Sequence, residues 1–93
     1  MKGGVEMNYL RGRRVGMGLS SSEVAEYLGI PVTTYCYRER NQTGFSDEEK
    51  IRLAKLFDWT PIQMNKYLYG GMLPISENNT WEDIAKMQSF SSD

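Results

Sequence analysis

The segment from Leu19 to Glu39 reads Leu-Ser-Ser-Ser-Glu-Val-Ala-Glu-Tyr-Leu-Gly-Ile-Pro-Val-Thr-Thr-Tyr-Cys-Tyr-Arg-Glu, and its punctuation admits few backbones. Ser20 followed three residues later by Glu23 has the spacing of a capping box, which opens a helix by satisfying its first amides. Val24, Ala25 and Leu28 then fall on one apolar face. Gly29 stands where a helix ends in a left-handed residue, and Pro31 suits the start of a second helix. Two short helices, about Ser21–Leu28 and Val32–Arg40, joined by a turn of three or four residues are the outcome.

The same logic extends along the chain. A first helix is expected from about Val5 to Gly16, with Tyr9, Leu10 and Met17 inward; Gly12 and Gly16 cost it roughly 1 kcal/mol each against alanine, so it depends on packing. Ser46 caps a fourth helix whose first turn carries Asp47, Glu48 and Glu49, favourable to its dipole. Ile51, Leu53, Ala54, Leu56 and Phe57 give that helix a wide apolar face. Thr60-Pro61 opens a fifth through Ile62, Met64, Tyr67 and Leu68, and Gly70-Gly71 stops it. The expected fold is all-α: five helices around one core over residues 1–69, then a polar tail, 70–93, with a short helix at 80–88. Thr80 and Asp83 start that last helix, and Trp81, Ile84 and Met87, with Gln88, make its apolar side. Two turns are marginal alone, so it should dock, on a second copy in preference to the parent domain near helix five.

Gly18-Leu19-Ser20, Glu23-Val24-Ala25-Glu26-x-Leu28-Gly29-Ile30, Thr33-Thr34-Tyr35 and Glu39-Arg40 together resemble the helix-turn-helix family of Cro and the lambda-type phage repressors. Phe45-Ser46 and Ile51-x-x-Ala54-x-x-Phe57 extend the resemblance into the fourth helix, so it covers roughly residues 8–69. It implies a lambda-repressor-like bundle that inserts helix three into the major groove of double-stranded DNA. It also implies homodimers on half-sites about one helical turn, ~34 Å, apart. Ser21 matches the position beside the phosphate and recognition helix, and Ser20 before it is a further candidate for DNA contact. Val32, Thr33, Cys36 and Tyr37 are the expected exposed positions around an inward-facing Tyr35. Arg40, Asn41 and Gln42 sit where the chain leaves the helix near the DNA backbone. Arg14 and Glu39 match positions where helix one meets helix three behind the DNA face, in an ion pair that orients the recognition helix while Arg14 also reaches a phosphate. Relatives often carry lysine, arginine or glutamine where this chain has Val32, and arginine, lysine or glutamine where it has Tyr37. The departure leaves no long bidentate donor and turns the readout toward thymine-rich or shape-defined sites.

The bland alternatives are specific too. Tyr35 is a core residue, Cys36 a small filler, Arg11 and Arg13 a solvated face of helix one. The chain has 93 residues and a net charge of −1. Residues 1–44 carry six basic and four acidic side chains, and residues 45–93 five basic and eight acidic. The candidate DNA-binding half is therefore the basic one, with modest non-specific affinity. There is no histidine, and no metal-ligand cluster, phosphate loop or paired-carboxylate cleft; no enzyme activity, cofactor or metal is expected. The single cysteine, the absence of an apolar run of membrane-spanning length and the lack of a signal peptide at Met1-Lys2-Gly3-Gly4 point to the cytoplasm. The leading expectation is a transcriptional regulator of prophage or mobile-element type. The alternative is a protein-interaction module on the same fold, such as an antitoxin or anti-repressor, with a regulatory protein partner.

Overall fold

A computed structural model describes residues 8–87, which form six α-helices and no strand. They are α1 (Tyr9–Gly16), α2 (Ser21–Leu28), α3 (Val32–Asn41), α4 (Asp47–Leu56), α5 (Pro61–Leu68) and α6 (Trp81–Lys86). They group into two compact units divided between Gly44 and Phe45.

In the first unit, the helix expected from Val5 begins at Tyr9; Val5 itself lies outside the described residues. Asn8 is extended (φ −103°, ψ 92°), and its Oδ1 accepts from the Arg11 amide at 2.9 Å, so it caps the helix. Leu10 is buried and Tyr9 half-buried, whereas Met17, expected inward, is 40% exposed. The reason is that Met17 closes the helix: Gly18 (φ 74°) turns left-handed, and the Gly18 and Leu19 amides donate back to the Val15 and Arg14 carbonyls.

The α2 capping box forms in both directions, with Ser20 N to Glu23 Oε1 at 2.7 Å and Glu23 N to Ser20 Oγ at 3.1 Å. Val24, Ala25 and Leu28 are buried. At its other end Gly29 takes φ 77°, ψ 30°, and the Gly29 and Ile30 amides return to Glu26 O and Ala25 O. That is a Schellman closure, and a Cβ at residue 29 would be strained by the backbone angle alone. As expected, α3 starts at Val32, with Pro31 as its N-cap and no side-chain cap. The helix continues one residue past Arg40, to Asn41.

In the second unit, capping boxes at Ser46/Glu49, Thr60/Gln63 and Thr80/Asp83 open α4, α5 and α6. Leu53, Ala54 and Phe57 of α4 are buried, while Ile51 and Leu56 are half-buried. Trp59 is also buried, edge-on to Phe57 at 5.3 Å and 4.9 Å from the Tyr67 ring. On α5 the buried residues are Pro61, Met64 and Asn65, with Ile62, Tyr67 and Leu68 only half-covered. Asn65 holds the following turn: its Oδ1 accepts from Leu73 N at 2.9 Å, its Nδ2 donates to Leu73 O at 3.2 Å, and its carbonyl accepts from Gly71 N at 2.8 Å.

The last helix finds cover for Ile84 within its own chain. Ile84 is 1% exposed within this one chain, and Trp81, Ile84 and Ala85 face Ile51 and Lys55 of α4 across a shallow groove. The Lys55 ammonium lies 5.5 Å from the centre of the Trp81 ring. The helix thus stands beside α4 of its own unit with Ile84 buried, while Trp81 and Met87 are half-buried and Ala85 is exposed. Gln88 lies outside the described residues. Among the described residues no helix is long and apolar enough to cross a membrane.

Candidate nucleic-acid interface

An α-helix advances about 100° per residue, so Tyr35 and Glu39 share one side of α3, and Thr33, Tyr37 and Arg40 lie on the other; Val32, the first residue of the helix, and Cys36 lie on the flank beside Glu39. Burial follows that division. Tyr35 is fully buried and Glu39 is 6% exposed; Val32, Thr33, Tyr37 and Arg40 are exposed. Cys36, expected on the open face, is only half-exposed on the flank of the helix, whereas Val32 on the same flank is exposed at the helix's first residue.

A buried carboxylate requires partners, and Glu39 has three side-chain donors. Arg14 Nε reaches Oε2 at 2.7 Å, Arg14 Nη2 reaches Oε1 at 3.3 Å, and the Tyr35 hydroxyl donates to Oε2 at 2.9 Å. Arg14 Nη1 adds a bond to Leu19 O at 3.0 Å, at the entry to α2. This one guanidinium therefore ties α1 to α3 and to the loop before α2. Its side chain is 12% exposed with three of its five N–H groups engaged, so it acts chiefly as a positioning group.

The charges respond accordingly. The hydrogen bond to Glu39 holds the Arg14 pKa above its ordinary value against the opposing effect of burial. Burial, reinforced by the bond to Glu39, pushes the Tyr35 phenol well above its ordinary range, so Tyr35 stays a neutral donor. Asn8 completes the arrangement, its Nδ2 donating to the Glu39 carbonyl at 3.0 Å while its Oδ1 caps α1. Sequence reasoning passed over Asn8. Its place just before Tyr9-Leu10 is a cap signal, but its second partner lies 31 residues away.

The other candidates occupy the rim of this unit. Ser20 is exposed but its hydroxyl serves the α2 cap, and Ser21, the first residue of α2, is half-buried. At the far end of α3 the Arg40 guanidinium stands 6.0 Å from the Tyr37 ring, and Asn41 Nδ2 donates to Tyr37 O at 2.7 Å. Gln42 is left-handed at φ 51°, and its amide and that of Thr43 close the helix onto Glu39 O and Arg38 O. Gly44 follows at φ 91°, where a Cβ would come within 3.2 Å of Arg38 Cγ. Arg11 and Arg13 are exposed on α1. The open face of α3 thus presents an isopropyl group, hydroxyls and one aromatic ring, with a single exposed guanidinium near its C-terminal end. Among the described residues no group of three or more His, Cys, Asp or Glu side chains could hold a metal ion.

Comparison with protein-family models, with curated proteins and with solved structures gives no match.

Proposed function

We propose that the chain is a sequence-specific DNA-binding transcriptional regulator of the prophage-repressor kind, acting in the cytoplasm as a homodimer without cofactor or catalytic step. The observation that carries this reading is the two-sided character of α3. Its inner side is locked by Arg14 and Glu39, while Val32, Thr33 and Tyr37 are exposed. A helix presented in this way after a tight α2–α3 turn suits insertion into a major groove about 12 Å wide. In this reading the helix-turn-helix comprises α2 and α3; Val32, Thr33, Cys36 and Tyr37 approach the bases; and Ser20, Ser21, Arg40, Asn41 and Gln42 lie toward the phosphates. Arg14 acts mainly through Glu39, and its remaining N–H groups are its route to a phosphate.

Few exposed cations flank α3, so the affinity should fall with salt along a shallow log–log slope, roughly −3 to −5 per protomer. The test is a fluorescence-anisotropy titration of the full chain against duplexes from upstream of its own gene and against a random duplex, at several salt concentrations. Thr33→Ala and Tyr37→Ala should each weaken the specific complex by about 1–3 kcal/mol with folding unchanged. Equal losses on both duplexes would reduce these residues to phosphate contacts.

A second reading is favoured by the exposure of Tyr37 at 58%, Tyr27 at 45% and Val32 at 39% in one unit. Aromatic and aliphatic groups of this kind suit a protein partner, as in an antitoxin or anti-repressor. Absence of binding to every duplex at low salt would transfer the assignment to it.

A further inference from the structure

We infer that the outer face of α3 reads the 5-methyl groups of thymine, making its target a thymine-rich duplex recognised by apolar contact in the major groove. The inference rests on the DNA-binding reading and names what that site recognises.

Base discrimination in the major groove depends on what the helix can offer. Guanine is selected by two parallel donors aimed at O6 and N7, and adenine by a donor and acceptor paired on N6 and N7. The first two turns of the open face hold neither. Val32 is apolar and 39% exposed, Thr33 offers one hydroxyl and one methyl, Tyr37 offers a ring and one hydroxyl at 58% exposure, and Cys36 is half-buried. The exposed guanidinium of α3, Arg40, lies a turn further on beside the Tyr37 ring, and the Asn41 amide donates to the backbone of its own helix. Both stand at the end of the helix where phosphates pass, not at its leading turns.

What remains at the leading turns is methyl and ring surface, and one base carries a matching apolar group there, the thymine C5-methyl. The buried network behind the helix makes this contact productive. Apolar readout depends on close van der Waals approach, and Tyr35 and Glu39, held by Arg14, keep α3 from rolling about its axis. Val32 and Thr33, consecutive residues of the first turn about 100° apart around the axis, are the two exposed apolar groups at the leading end of that fixed helix.

The experiment begins with selection of duplexes from a randomised pool by the full chain. Dissociation constants are then measured for the selected duplex with each dT replaced singly by dU, which removes the methyl and leaves the hydrogen-bonding edge intact. The selected sites should be rich in A·T pairs, with at least one dU position weakening binding about fourfold, the factor carried by one buried methylene-sized group. That penalty should shrink to under about twofold in Val32→Ala or in Thr33→Ser, which keeps the hydroxyl. Tolerance of dU at every position, or a penalty that survives both variants, would overturn the inference while leaving DNA binding intact. A pool that yields no enriched duplex would instead remove the DNA-binding reading, and this inference with it.

Discussion

Tyr35 and Glu39 meet one turn apart on α3, the phenol donating at 2.9 Å to the same carboxylate oxygen that Arg14 Nε reaches at 2.7 Å. A fully buried tyrosine at an apolar-looking position thus belongs to a polar network and is not a simple filler. The consequence is directional. Hydrophobic packing alone would hold α3 against its unit, but it would not fix the rotation that brings Val32 and Thr33 outward. Charge-assisted hydrogen bonds to one carboxylate do fix it.

Breaking that network from one side should be costly. Both side chains of the ion pair are about nine-tenths buried, and removal of one partner strands the other, so Glu39→Ala should lose about 3–5 kcal/mol in urea denaturation. Arg14→Met with Glu39→Leu should lose less than the two single changes together, because no unpaired charge remains. Additive losses would show that the two residues do not interact.

Alkaline pH should weaken the second unit through Tyr69. Burial, with the hydrogen bond that its hydroxyl donates to Asp47, raises the Tyr69 pKa above its ordinary 10.0. The folded chain keeps the proton where the unfolded chain releases it, so this stabilisation is complete below pH 10 and is lost as the pH climbs toward the folded value. Tyr69→Phe should flatten the fall in stability above pH 10 by at most about 1.4 kcal/mol per pH unit, the linkage of one proton. An unchanged slope in pH-dependent denaturation would assign the effect elsewhere.

Asp58 occupies a glycine position. It is left-handed at φ 60° just after α4, and the Trp59 amide closes onto Ala54 O at 2.8 Å in a Schellman geometry. Asp58→Gly should therefore raise stability by about 0.5–1 kcal/mol, with Asp58→Asn as the control for loss of charge. A destabilised glycine variant would mean that the aspartate side chain contributes more than its backbone strain costs.

The last helix should behave as part of its own unit. Ile84→Ala removes a side chain that is 1% exposed, and the expected loss is about 2–4 kcal/mol. The fluorescence of Trp81 should change in the same variant, while the sedimentation mass stays that of the parent chain. A drop in mass at unchanged stability would restore the dimer-arm expectation.

The site was legible in the sequence unevenly. The exposed positions of α3 came from the resemblance, which placed Tyr35 inward; Val32, Thr33 and Tyr37 are exposed, although Cys36 is half-covered. The pairing of Arg14 with Glu39 came from a resemblance, since nothing in a spacing of 25 residues announces it. The role of Tyr35 as a donor was hidden because a tyrosine at a core position reads as ring surface, and its hydroxyl finds a partner only when the neighbouring carboxylate is turned inward by an arginine from another helix.

What the sequence by itself determined is the local punctuation of the chain. The boxes Ser20/Glu23, Ser46/Glu49, Thr60/Gln63 and Thr80/Asp83 form between residues three apart, and the Gly29 turn closes within a few residues. Such bonds form within a single turn, so residue type and spacing suffice. The tertiary structure decided where each helix spends its remaining surface. It set Asn8 on the Glu39 carbonyl 31 residues away, made the buried Asn65 a clamp for Leu73, and placed α6 across a groove from α4. The physical reason is that an amphipathic face, or an amide with two hydrogen-bonding ends, has many acceptable partners in isolation. Only packing that buries apolar surface and satisfies every buried polar group at once selects among them.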